Sequence, residues 1–191
     1  MAVPRDRVSV GILAGGRGRR LGGVDKAFLD VGGAALLDRA LAAVGGGFSS
    51  VLVSHNVPAE PRRRPHVDRG LRFIGDATAA GEGPLAGLDA LLHACETEWL
   101  ISLPVDLAQP SLVPLEGLLS SRGAVVQDAD GLQPLVALWP VWSARSAVRA
   151  QLQAGQRAAH PLVVLLGLAR LVIAPARLGN LNTIDDLRGF A

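Results

Sequence analysis

The chain has 191 residues, of which 49% are hydrophobic and 19% charged, and its formal net charge is +2. That length and balance suit one domain with a full hydrophobic core and exclude a disordered chain. The slight basic excess, 4% aromatics and no tyrosine exclude a stacking platform for single strands and give little support to a nucleic-acid partner.

The single cysteine, Cys95, excludes an internal disulfide and fits a reducing compartment. Met1 to Arg7 has no apolar stretch ending in a small-residue cleavage site. No apolar run reaches 18 residues, so no membrane span is expected, and the expected location is cytoplasmic.

In chain order, Arg7 to Leu13 reads as a buried strand, short and rich in β-branched residues. A loop with five glycines in nine positions, Gly15 to Gly23, follows it. Phe28 to Val31 reads as a short extended piece, and Ala35 to Val44 as a helix stopped by Gly45 to Gly47. Ser50 to Ser54 is the next strand. Pro58 to Gly70 reads as an exposed excursion, with Arg62, Arg63 and Arg64 as a solvated charge run. A strand over Leu71 to Ile74 precedes a helix from Pro84 to Ala94.

Trp99 to Val105 is a strand that delivers Asp106. A helix is expected from Ser111 with the serine as its cap, then strands over Ala124 to Gln127 and Pro134 to Trp139 joined by the turn Asp128 to Gly131. Helices over Trp142 to Gln153 and His160 to Leu166, a strand over Leu171 to Ile173 and a last helix from Thr183 to Phe190 complete the chain. Trp139 and Trp142 are expected in the core or at its rim. Strands alternating with helices imply an α/β fold: a three-layer, doubly wound, mostly parallel sheet forming one domain over residues 1–191. Ligands in such folds bind outside the carboxyl ends of strands. The Gly-rich loop, Asn56, Asp76 and Asp106 each follow an expected strand and so fall on one rim.

The Gly-rich loop reads as a phosphate cradle. Glycines free backbone N–H groups to face an anion, while Arg17, Arg19, Arg20 and Lys26 supply countercharge. Lys26 is the only lysine in the chain. The P-loop pattern fails, because Asp25 and Ala27 flank that lysine, and the dinucleotide fingerprint fails at Leu21. Asn56 and Asp76 are also common turn formers. Asp106 could cap a following helix, Asn180 and Asn182 could cap the last one, and Arg157 could mark an exposed helix end.

Leu13-Ala14-Gly15-Gly16, Arg20-Leu21-Gly22 and Lys26 together resemble the signature of nucleotidyltransferases that couple an NTP to a phosphorylated acceptor. Gly22 to Lys26, Gly83-Pro84-Leu85-Ala86-Gly87, Asp106 and Asn180-Leu181-Asn182-Thr183 narrow the resemblance to the MobA-type molybdenum cofactor guanylyltransferases. The matches run in order over nearly the whole chain. The resemblance implies a Rossmann-like nucleotidyltransferase fold, with the N-terminal part binding nucleotide and the C-terminal part binding the acceptor. It implies GTP as substrate, Mg2+ as cofactor and molybdopterin or Mo-molybdopterin as acceptor, with molybdopterin-delivery proteins and apo-molybdoenzymes as partners. By the same resemblance, Leu13, Ala14, Gly15 and Gly16 contact the nucleotide, and Gly15 leaves space for a purine where cytidylyltransferases carry alanine. Lys26 and Arg20 neutralise the triphosphate, Asn56 and Asp76 bind nucleotide, and Asp106 holds the metal. Asn180, Asn182 and Arg157 face the acceptor.

Two departures stand out: no proline follows Asp106 in Val105-Asp106-Leu107-Ala108, and Gln133 replaces a charged residue before Pro134. The alternatives are a cytidylyltransferase, a sugar- or cobinamide-phosphate nucleotidyltransferase, and a non-catalytic delivery protein that binds molybdopterin or nucleotide.

Overall fold

The structure, a computed structural model, describes residues 2–15, 25–55, 61–75, 83–183 and 186–187. Its strands are β1 (Val8–Leu13), β2 (Asp30–Val31), β3 (Ala34–Ala35), β4 (Ser50–Ser54), β5 (Arg72–Ile74), β6 (Trp99–Pro104), β7 (Ala124–Asp128), β8 (Gly131–Pro140) and β9 (Ala169–Val172). Its α-helices are α1 (Leu36–Val44), α2 (Arg64–Val67), α3 (Pro84–Ala94), α4 (Leu115–Leu119), α5 (Val141–Gln153) and α6 (His160–Leu165). Seven strands form one sheet in the order β5-β4-β1-β6-β8-β7-β9, and β2 and β3 form a separate small hairpin. Only β8 runs against its neighbours, because the Asp128–Gly131 turn folds it back on β7.

The alternation of β1 explains the layering. Val8, Val10 and Ile12 enter the core shared with α1 and α4, whereas Leu13 joins the opposite core with α3, α5 and α6. The remaining positions of β1 are small. Ser9 shares hydrogen bonds with Ser50 and Thr97, both at 2.9 Å. A Cβ on Gly11 would lie 2.9 Å from Leu91 Cδ1, so glycine there lets α3 seat directly on β1.

α3 is the most deeply seated helix. Leu85, Leu88, Leu91 and Leu92 are all fully buried, each contributing about 1.5–3 kcal/mol of transfer free energy. It starts at Gly83, whose φ of +87° suits glycine, followed by Pro84 at the first helical position. A Cβ on Gly87 would stand 2.7 Å from Ser54 Oγ and 3.1 Å from Leu13 Cδ2. The glycine of the Gly-Pro-Leu-Ala-Gly segment thus brings the helix N-terminus close to the ends of β1 and β4.

Several expectations change. Lys26 to Phe28 form a 3₁₀ turn, and only Asp30–Val31 of the next stretch is strand. The helix expected from Ser111 is a 3₁₀ turn over Pro110–Leu112; α4 starts at Leu115 with no side-chain cap, because Pro114 redirects the chain between them. Trp139 is buried, its Nε1–H donating to Ser102 Oγ at 2.7 Å, but Trp142 is 86% exposed because the core-facing side of α5 carries Val141, Ala144 and Val148. The excursion after β4 is not a solvated run throughout. Arg62 donates to Phe28 O and Arg63 to His55 Nδ1, while Arg64 stays exposed. Of the expected last helix, Thr183 and residues 186 and 187 lie within the described residues; Thr183 is a bend, and 186 and 187 are helical.

Candidate active site

Parallel pairing sets the carboxyl ends of β5, β4, β1 and β6 on one rim. The chain runs from β1 out through β4 to β5, then returns to place β6 on the other side of β1. The ends of β1 and β6 therefore flank a topological switch point, where open α/β sheets bind ligands. Ala14 N–H donates to Ser54 O at 2.9 Å and Val105 N–H to Leu13 O at 3.0 Å, so the three strand ends stay laddered up to the rim. Leu13 and Ala14 are 8% and 5% exposed, with Leu13 packed in the α3 core. Their side chains leave little surface for a ligand. Gly15 is the exposed residue of the three.

Asp106 follows β6 in a turn stitched to the C-terminal segment. Leu181 N–H donates to Asp106 O at 2.8 Å, Ala108 N–H to Gly179 O at 3.2 Å and Gln109 N–H to Leu178 O at 2.9 Å. Leu107 and Asn180 form an antiparallel bridge. These bonds fix the turn without the proline that the resemblance would put after Asp106. The carboxylate of Asp106 receives Lys26 Nζ at 2.6 Å, and the same ammonium donates to Asn182 Oδ1 at 2.9 Å. Lys26 thus joins residues 80 and 156 positions away. Both partners of the ion pair are largely shielded, with side chains 14% and 22% exposed, so the attraction is screened less than at an open surface.

Asn182 has its own support. Asp186 accepts the N–H groups of Asn182 and Thr183 at 2.8 and 2.7 Å, and Thr183 Oγ1 accepts Asp186 N–H at 3.1 Å. The N–H groups of Asn182 and then Thr183 hold the Asp186 carboxyl below its ordinary 3.8, because they bond the charged form. Asn180 is exposed and tied by its backbone to the Asp106 turn. Gln133, in the place of an expected charge, donates to Asp128 Oδ1 at 3.0 Å and serves the β7–β8 turn. Buried Asp128 also accepts Leu178 N–H at 2.9 Å, which anchors the C-terminal segment behind the site.

Arg157 lies after α5, exposed, and donates to Leu152 O and Gln156 O. Arg145 reaches Leu92 O and Cys95 O while Arg149 lies 4.0 Å from Asp89, so α5 runs antiparallel to α3. The C-terminal end of α5 is therefore directed toward the same rim. Gly16, Arg20, Asn56 and Asp76 lie outside the described residues. The sequence reading assigns no role to Asp25, although it lies in the Gly22 to Lys26 segment, or to His55. The position of His55 between Ser54 and Asn56 at a strand end was the available signal. Among the described residues, no group of three or more His, Cys, Asp or Glu side chains could hold a metal, and no helix is long and apolar enough to cross a membrane.

The arrangement can hold a polyanion by Lys26 beside a carboxylate that could take a cation. The MobA-like NTP transferase domain profile matches residues 10–165. The chain is 37% identical over 183 residues to a molybdenum cofactor guanylyltransferase of Acidiphilium cryptum, covering 92% of this chain and 90% of that protein. A Cupriavidus pinatubonensis protein of the same name is 30% identical over 198 residues, covering 97% of each chain. In fold, the chain is similar to the molybdopterin-guanine dinucleotide biosynthesis protein A of Archaeoglobus fulgidus (TM-score 0.68, 22% identity, 95% of each chain). It is also similar to the CTP:phosphocholine cytidylyltransferase of Streptococcus pneumoniae (TM-score 0.70, 14% identity, 96% of this chain and 97% of that one). The chain belongs to the MobA-like NTP transferase family and is a MobA-type nucleotidyltransferase.

Proposed function

We propose that this chain transfers GMP from GTP to the terminal phosphate of molybdopterin, with or without molybdenum, and releases pyrophosphate. The observation that carries the reading is the meeting of Lys26 with Asp106 and Asn182 at the switch point. The names of the guanylyltransferase relatives support guanine and molybdopterin as the two substrate halves.

In this reaction an acceptor phosphate oxygen forms a bond to the α-phosphorus. The bond from that phosphorus to the β-bridging oxygen breaks, and the electron pair leaves with pyrophosphate. Both reactants are anions, so rate comes from charge neutralisation and in-line positioning, with no protein nucleophile needed. Lys26 neutralises the triphosphate. Lys26 is held by Asp106, and an incoming triphosphate exchanges for that carboxylate. The freed Asp106 is a hard oxygen donor beside the Asn182 amide oxygen. That donor set fits Mg2+, which uses one or two carboxylates together with substrate phosphates and water. Bound there, Mg2+ would supply further neutralisation of phosphate charge. Gly15, exposed at the end of β1, is the reading's purine-side contact, and Asn180 and Arg157 face the acceptor. Gly16, Arg20, Asn56 and Asp76 complete the nucleotide side in the same reading. One domain over residues 1–191, delivery proteins and apo-molybdoenzymes as partners, and a cytoplasmic location belong to the same proposal.

Pyrophosphate release measured with each of the four NTPs, Mg2+ and molybdopterin tests the base choice. GTP is expected to give the highest kcat/KM, and chelation of Mg2+ to stop release. Faster turnover with CTP would favour the cytidylyltransferase alternative.

A further inference from the structure

We propose that His55 is a positioning residue for Lys26 and acts through Asp25. The inference rests on the reading of Lys26 as the triphosphate's countercharge. His55 follows β4 directly, and its N–H extends the sheet ladder by donating to Ile74 O at 2.9 Å. It is therefore mounted on the rigid part of the molecule. The residue is 2% exposed and its ring meets Phe28 and Phe73 edge-on, with centroids at 5.8 and 6.0 Å.

The ring nitrogens have different neighbours. Nδ1 faces the Arg63 guanidinium, which can only donate. Nε2 stands 2.6 Å from Asp25 Oδ2, which accepts. The arrangement selects the neutral tautomer with its proton on Nε2, and that proton is donated to Asp25. The other oxygen of Asp25 accepts Ala27 N–H at 3.2 Å and caps the Lys26–Phe28 turn. Asp25 is thus gripped at both oxygens, by the sheet through His55 and by the turn through Ala27. A second hold on the turn comes from Arg62, which donates to Phe28 O at 3.2 Å. Lys26 leaves the chain between the capping Asp25 and the capped Ala27, so its direction follows from this grip. A histidine at this position converts the stiffness of β4 into a fixed origin for a long, rotamer-rich side chain.

Because Lys26 is the only lysine, isotope-labelled lysine gives one side-chain NMR signal that reports on it alone, with or without nucleotide. His55→Asn reaches Arg63 but not Asp25, whereas His55→Gln keeps a donor for Asp25 and an acceptor for Arg63. The expected result is a Lys26 signal moved toward that of an unconstrained lysine in His55→Asn and in His55→Leu. His55→Gln restores the wild-type position. Affinity for GTP falls about tenfold in the Asn variant, the scale of losing a group that orients a ligand-binding side chain, while Tm stays within a few degrees. In Asp25→Ala, adding His55→Asn changes the signal no further. A wild-type Lys26 signal in His55→Asn would overturn the proposal. So would an equal displacement in His55→Gln, which would leave His55 with a packing role only. A wild-type signal that does not respond to GTP would instead contradict the nucleotide reading, and the variants would still decide the role of His55.

Discussion

Lys26 is held by two oxygens that belong to distant parts of the chain, and this makes Asp106 the most informative side chain to remove. In Asp106→Ala the ammonium keeps Asn182 and partial solvent access, so the cost in stability is about 1 kcal/mol. The cost in transfer is larger, because a charge placed at the reacting phosphates acts on the transition state; a loss of at least about a hundredfold in kcat is expected. Steady-state kinetics beside a thermal melt check both halves. Near-normal turnover in a folded Asp106→Ala protein would remove Asp106 from the site. The same residue scale shows what the sequence could and could not convey. Lys26, Asp106 and Asn182 were legible as candidates from motif order, and the hydrogen bonds joining them needed the fold. Leu13 and Ala14 were legible as part of the motif, but burial turns them into sheet ends that position Gly15. His55 carried no motif, since its partners Asp25 and Arg63 are brought to it by a turn and an excursion whose packing composition does not reveal.

At the scale of elements, the site depends on the C-terminal segment that runs behind Asp106. Residues 178–181 pair with the Asp106 turn, and the Thr183–Asp186 reciprocal cap then presents Asn182 to Lys26. The depressed Asp186 titration gives this cap a pH signature. Its carboxyl lies below 3.8 in the fold because it accepts the N–H groups of Asn182 and Thr183. A lowered folded value contributes stability that is fully present above the unfolded value and is lost as pH falls through the folded one. The stability difference between wild type and Asp186→Ala should hold steady at neutral pH and shrink below about pH 3.8. Thermal melts of both proteins across the acid range check this, and a difference that grows on acidification would contradict the cap. Most elements were legible from periodicity and turn residues, including β6 ending before Asp106 and α3 starting at Pro84. The failures came where proline and short length decide the outcome, at Pro110–Leu112 and Lys26–Phe28, because 3₁₀ turns carry no apolar period.

For the whole molecule, the doubly wound sheet explains why residues 80 and 156 positions apart meet. β1 and β6 are parallel neighbours, so the chain leaving β1 and the Asp106 turn start from one shared end. Charge follows the fold less simply. Gly131 to Thr183 contains five arginines and no carboxylate, a pattern that suits an anionic acceptor. Four of the five make structural contacts: Arg145 on Leu92 O and Cys95 O, Arg149 near Asp89, Arg157 on Leu152 O and Gln156 O and Arg177 on Asp130. The central claim is nucleotidyl transfer, and the fate of labelled phosphate tests it most directly. With Mg2+ and molybdopterin, GTP labelled at the α-phosphate should yield a labelled pterin dinucleotide whose mass includes one GMP, and GTP labelled at the γ-phosphate should label pyrophosphate only. Label passing from the γ-position to the pterin, or no labelled pterin product with any NTP, would contradict the account.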